Sequence, residues 1–140
     1  MSFFLQAFTL VVGEEGGYST NPADPGGETK YGISKRAYPD LDIAALTLEQ
    51  AQGIYQRDYW EPLGCDAMPW STALLVFDCG VNMGLSVARL LHASYPDAVQ
   101  FQAERALRYA SMVNFASFGR GWMRRLFTVF KAAHITPGSA

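Results

Sequence analysis

The chain has only two cysteines and two histidines in 140 residues. Cys65 and Cys79 cannot build a disulfide framework in a chain of this length, and they lack the paired spacing of a zinc site. Structural thiols are the simplest reading, with a Cys65–Cys79 bond left open. Neither His92 nor His134 stands near a glycine-flanked serine elbow, so Ser/His/Asp nucleophilic chemistry has no support. Charge is also sparse, at 17% against 49% hydrophobic residues, a balance that disordered chains do not show. No apolar run approaches the ~20 residues that span a bilayer, and no stable membrane insertion is expected. The stretch from Phe3 to Val12 is apolar, but it lacks a basic start and runs into Gly13-Glu14. A secretory signal needs a positive first region and a small-residue cleavage site. This stretch therefore reads as a folded helix.

What is present fits one domain able to bury roughly 68% of its unfolded surface. The core material includes three Trp, seven Tyr and nine Phe. The net charge of −2 hides an asymmetry: residues 1–100 carry five basic and twelve acidic groups, residues 101–140 six basic and one acidic. A basic C-terminal face attracts polyanions such as nucleic acid or an anionic cell wall; a solvated helix face explains it equally well. No recognition motif accompanies the basic residues, so nucleic acid is not an expected partner.

Apolar spacing at Phe4, Phe8, Val11 and Val12 predicts one amphipathic helix ending at Gly13. Helical periodicity is then lost until residue 33. Asp24-Pro25-Gly26-Gly27 is a strong turn signal, with a short strand suggested beyond it at Tyr31 and Ile33. Thr47-Leu48-Glu49-Gln50 has the capping-box pattern and predicts a helix to about Tyr59. Pro69 can open the next helix, with Trp70, Leu74, Phe77 and Val81 on one face and Gly84 ending or bending it. Pro96 can open a helix containing Val99, Ala103, Ala106 and Leu107. The last helix carries Trp122, Leu126, Val129 and Ala133 on one face, with a frayed tail over 135–140. The expectation is a mainly α domain over residues 1–134, with a small turn-rich or β-hairpin lobe near the N-terminus.

That lobe holds the chemistry. Residues 13–33 place Glu14, Glu15, Asp24 and Glu28 among glycines and prolines. Glycoside hydrolysis needs one carboxyl to protonate the leaving oxygen, and usually a second that activates water or attacks the sugar. Glu15, at the end of an apolar helix, is a candidate for partial desolvation, which would keep its proton available. Asp24 lies nine residues later and can face it across a cleft, while the Thr29 hydroxyl can help hold a water. Acidic residues in turns also serve as caps or solvated charges. The spacing of Glu28 and Asp24 is not that of a calcium-binding loop, so no metal or other cofactor is expected.

The string Glu15-Gly16-Gly17-Tyr18, then Asp24-Pro25-Gly26-Gly27-Glu28-Thr29-Lys30-Tyr31-Gly32-Ile33, resembles the signature of glycoside hydrolase family 108. These are N-acetylmuramidases of phage endolysins and prophage-like loci, sometimes labelled secretion activator proteins. The likeness continues through Tyr38-Pro39-Asp40-Leu41-Asp42-Ile43, Gln50-Ala51, Tyr59-Trp60, Cys65-Asp66 and Phe77-Asp78 to Val81-Asn82-Met83-Gly84. Residues 1–90 are similar to the catalytic part. Residues 91–134 resemble the peptidoglycan-binding segment often paired with it, notably Arg120-Gly121-Trp122 and Arg125. The resemblance implies a lysozyme-like fold, Glu15 as catalytic acid and Glu14 as a solvated or capping neighbour. The order glutamate, aspartate, threonine is also similar to the trio of T-even-type phage lysozymes, with Thr29 one residue short of that spacing. An inverting reaction with Asp24 and Thr29 orienting water would follow; a retaining path would make Asp24 the nucleophile.

Four further residues are candidates for substrate contact. Asp78 and Asn82 share a helix face at i, i+4, and Asn82 can bond an acetamido group; a polar helix face explains both equally well. Tyr18 and Tyr31 can stack on sugars or pack in the core, whereas Trp60 and Trp70 read as core. The implied protein is a monomeric muramidase made in the bacterial cytoplasm, without a recognisable signal, and acting on peptidoglycan at the wall. Rival readings are a lytic transglycosylase and a non-catalytic wall-binding or secretion-assisting protein.

Overall fold

The computed structural model describes residues 2–20 and 27–135. Its elements run α1 (Phe4–Val11), β1 (Thr29–Lys30), β2 (Ile33–Ser34), α2 (Leu48–Tyr55), α3 (Trp70–Met83), α4 (Leu85–Ser94), α5 (Ala98–Ala110) and α6 (Phe115–Ala133). Asp24 and the turn around it, with residues 136–140 of the expected tail, lie outside the described residues.

The core forms around α3. Thr72 to Gly80 are all buried, the signature of a helix enclosed on every side. Phe4 of α1, Phe77 of α3 and Trp60 meet edge-to-face, with ring centroids 5.4–5.9 Å apart. Each such pair contributes about 0.5–1.5 kcal/mol beyond its buried area. Trp60 closes a π-helical turn, Gln56–Trp60, that continues α2. Its indole N–H donates to Asp66 Oδ1 at 2.9 Å, an oxygen that also accepts from the Ser2 hydroxyl. Trp70 is only half-buried, edge-on to Phe3.

The local signals behave as their chemistry requires. Thr47 and Gln50 form the full capping box: the Gln50 N–H donates to the Thr47 hydroxyl and the Thr47 N–H to the Gln50 side chain. Gly84 separates α3 from α4 at φ +95°, ψ 158°, a region essentially closed to residues with a Cβ. The chain therefore breaks there and resumes helix at once. Cys65 and Cys79 are both free and buried. Burial pushes their thiols up to about 12 and about 11, respectively.

Two expectations need correction. Of the strand expected at Tyr31 and Ile33, Ile33 does open β2, but Tyr31 belongs with Gly32 to the two-residue hairpin turn between the antiparallel pairs Lys30↔Ile33 and Thr29↔Ser34. Both turn residues have positive φ, +52° and +73°, as a hairpin turn following the sheet's twist demands. In α5, Val99 and Leu107, named from the sequence as members of this helix, are also not the residues that pack. Phe101, Gln102, Arg105 and Tyr109 face inward, whereas Val99 and Leu107 are 56% and 63% exposed. A buried carboxylate on α3 draws Arg105 into the core and sets the rotation of the helix. Asp97, rather than Pro96, caps its start, accepting from the Gln100 N–H.

Candidate active site

Helix α1 stops at Gly13, whose N–H reaches Phe8 O at 3.2 Å, and Glu15 follows two residues on. The chain after it pairs with the hairpin. Tyr31 N donates to Gly16 O at 2.8 Å, and Ser19 and Thr29 exchange two backbone bonds of 2.9 Å. The segment that follows Glu15 is thus tied to the hairpin by backbone bonds and an antiparallel bridge at Ser19, with Thr29 and Tyr31 beside it. Tyr55 of α2 holds the turn from beneath: its hydroxyl donates to Tyr31 O at 2.7 Å. A Cβ on Gly32 would lie 2.7 Å from that hydroxyl, so the turn needs glycine for space as well as for φ.

Glu15 is exposed. The desolvation expected from its place after an apolar helix is absent, because α1 ends at Gly13 and releases the chain into solvent. Among the described residues its carboxyl has no hydrogen-bond or ion-pair partner. Glu14 is exposed as well, with the Thr9 hydroxyl 3.4 Å from its Oε1. Tyr18 is exposed and donates to Glu28 Oε2 at 2.5 Å, a bond that raises the phenol's pKa. Glu28 therefore orients Tyr18. Thr29 and Tyr31 are half-buried at the edge of the same lobe, where the Lys30 ammonium lies 5.9 Å from the Tyr31 ring centroid.

Asp78 does not belong with these residues. Its side chain is 1% exposed, and Oδ2 accepts from Arg105 Nη1 at 2.7 Å. Oδ1 accepts from Arg125 Nη2 and from Asn82 Nδ2, both at 3.0 Å. With both oxygens engaged in the core it cannot meet a sugar; it is an internal anchor. An ionised carboxylate survives burial only when paired and hydrogen-bonded, and here two guanidiniums supply that. Arg125 Nη2 also donates to Val11 O at 3.0 Å. The buried anchor therefore reaches, through Arg125, the last turn of α1, four residues before Glu15. Asn82 is exposed on the near end of α3 and is the member of the pair that solvent can reach.

The structure thus brings Glu15, Tyr18, Thr29 and Tyr31 into one lobe. Asn82 stands on the helical side, and Asp78 is reassigned from contact to support. The roles of Arg105, Arg125 and Tyr55 are invisible in hydropathy. The one signal that could have found Arg105 is its place among apolar neighbours in the inward-facing turns of α5. Among the described residues no group of three His, Cys, Asp or Glu is placed to hold a metal ion, and no helix is long and apolar enough to cross a membrane.

A mainly helical body with an acidic, turn-rich lobe clasped to the end of its first helix is the lysozyme-like architecture. The Glycosyl hydrolase 108 family model matches residues 8–84, more than half of the chain, and the chain belongs to that family. Its structure is similar to that of SagA from Brucella abortus, with a TM-score of 0.74 and 26% sequence identity, covering 93% of this chain and 92% of that one. The similarity thus takes in α5 and α6, which lie beyond the residues matched by the family model. No curated protein is significantly similar in sequence.

Proposed function

We propose that the chain is a peptidoglycan hydrolase, an N-acetylmuramidase that cuts the β-1,4 bond between N-acetylmuramic acid and N-acetylglucosamine. One observation carries the reading: Glu15 offers a carboxyl with no partner among the described residues, at the junction of α1 and the hairpin lobe and on backbone fixed from both sides. A general acid must be free to give its proton and must not wander. Gly16 O and Val11 O, bonded to Tyr31 and Arg125, restrain the chain on either side while the carboxyl stays open. A glycan strand laid over the lobe would displace water from it.

In the proposed reaction Glu15 donates its proton to the glycosidic oxygen as the bond from the anomeric carbon breaks. Water adds to that carbon and gives its proton to Asp24, with Thr29 helping to orient the water. This is the inverting course. Tyr18, Tyr31 and Asn82 would contact the sugars. The setting we infer is that of an endolysin made in the bacterial cytoplasm and acting on the wall. No cofactor is needed for this chemistry.

The test is digestion of purified peptidoglycan by the wild type and by Glu15→Gln, with mass spectrometry of the fragments. Glutamine keeps the shape but has no proton to give. Fragment release should fall by about 10²–10⁴-fold, the usual contribution of a positioned acid, while the melting temperature stays put. Reducing-end products support hydrolysis, whereas 1,6-anhydro products, lighter by one water, would replace it with a transglycosylase. Equal release by both proteins would overturn the assignment of Glu15, and no release by either would leave a wall-binding protein.

A further inference from the structure

A concavity of about 380 Å³ opens between the end of α3, the start of α4, α5 and α6. Its lining includes Asn82, Arg108, Tyr109, Met112, Trp122 and Arg125, and no carboxylate. We propose that it is a subsite for an N-acylated acidic peptide joined to the sugar, with the peptide carboxylate held by Arg108 and Arg125. This rests on the reading of the chain as a peptidoglycan hydrolase and names the part of the substrate that the helical side recognises.

Three features specify the ligand. The first is positive charge that the protein's own carboxylates offset only in part, since Asp78 pairs with Arg125 and, among the described residues, no carboxylate pairs with Arg108. Among the described residues the Arg108 guanidinium has no hydrogen-bond or ion-pair partner, and Arg125, 43% exposed, bonds through Nη2 alone. Planar guanidinium forks match carboxylates in two-point fashion. The second is the Asn82 amide. Its Nδ2 is 2.8 Å from Asp78 O and 3.0 Å from Asp78 Oδ1, and both of these only accept. The nitrogen must therefore face Asp78, which leaves Asn82 Oδ1 as an acceptor toward the cleft. An acceptor there selects an N–H donor such as an acylamide or a peptide bond. It would repel a bare phosphate.

The third is a rigid apolar wall. Trp122 stacks against Tyr109 at 5.1 Å and 26°, and against Phe118 at 6.1 Å and 29°. Aromatic surface fixed in this way receives an aliphatic or sugar face with little loss of side-chain freedom. A carboxylate, an amide N–H and an apolar stem within one small group describe an acylated acidic peptide better than a neutral chitin-like strand. Arg125 links this subsite to Glu15, since the same guanidinium bonds Val11 O.

Arg125 also supports Asp78, so the decisive variant is Arg108→Gln, at an exposed position. Binding is measured by titration calorimetry in the Glu15→Gln full-length protein, where ligand is not consumed. The probes are the disaccharide-tetrapeptide from digested wall, the same compound with its carboxylates amidated, the free tetrapeptide, and chitotetraose. Amidation should weaken binding about tenfold, and Arg108→Gln should weaken the native compound by a similar factor, as for one lost hydrogen bond to a charged group. The amidated compound and chitotetraose should change less than about twofold with the same variant. The free tetrapeptide should show the same dependence on Arg108 at lower affinity, and salt should weaken only the carboxylate forms. Equal loss on native and amidated ligands, or indifference to amidation, overturns the subsite. Wall digestion by the wild-type protein separates the two readings. Fragments without carboxylate dependence sink only the subsite, and carboxylate-dependent binding without fragments sinks only the hydrolase.

Discussion

The two sides of this molecule are held together by different forces. Among the described residues, the lobe at 13–34 has two strands of two residues each, and Ile33 is its one buried apolar side chain. Backbone bonds, a tyrosine hydroxyl and a glycine turn keep its shape. The helical body is built on α3, an aromatic triad and a carboxylate buried between two guanidiniums. Local opening is expected to be cheap in the first and to approach the global unfolding energy in the second. The carboxyl proposed to react, that of Glu15, stands on the weaker side and takes its support from the stronger.

Breaking the body should do the most damage. Asp78→Asn leaves Arg105 buried without a counter-charge, and loss of one partner of such a pair costs about 3–5 kcal/mol. Urea melts should show a large drop in midpoint, and wall digestion should fall with it because Arg125 loses its anchor. A midpoint unchanged within error would mean the ion pairs are not structural.

Next come two glycines that sharpen the contrast. Gly84→Ala and Gly32→Ala each force a side chain into a positive-φ conformation, at about 1–3 kcal/mol. The Cβ at Gly84 meets open space, whereas at Gly32 it meets the Tyr55 hydroxyl. Gly84→Ala should therefore lower the melting temperature while sparing activity in the remaining folded protein. Gly32→Ala should cut activity more than it shifts the melt. The reverse order would erase the division between lobe and body.

Tyr55→Phe removes the bond to Tyr31 O and nothing else, worth about 1 kcal/mol. Hydrogen exchange at the Tyr31 and Ile33 amides should quicken while amides of α3 keep their protection. The smallest effect concerns acid. The bonds from Trp60 and then Ser2 lower the pKa of Asp66. A carboxyl depressed in the folded state stabilises it above the unfolded pKa and loses that contribution as pH falls through the folded one. Asp66→Asn should flatten the acid limb of the stability curve below about pH 4 and leave its neutral part almost unchanged.

Much of the body was legible because its signals are local. The Thr47–Gln50 capping box, the stop at Gly13 and the break at Gly84 are set by residues within one turn. The inward face of α5 was not, since Arg105 is buried by a carboxylate 27 residues away and hydropathy assigns a lone arginine to solvent. Asp78 and Asn82 do share a face and do touch, but sequence spacing cannot tell which of the two points into the core. Resemblance singled out Glu15. Its exposure, and the backbone bonds that tie the following residues to the hairpin, follow from contacts between segments that periodicity does not see.

The two cysteines have a consequence outside catalysis. A thiol must lose its proton to attack a disulfide or react readily with an oxidant, and burial holds Cys65 and Cys79 far above neutrality. Neither depends on a bond to the other. The fold therefore rests on no disulfide between them. A protein built this way can fold on one side of a redox boundary and work on the other without a refolding step.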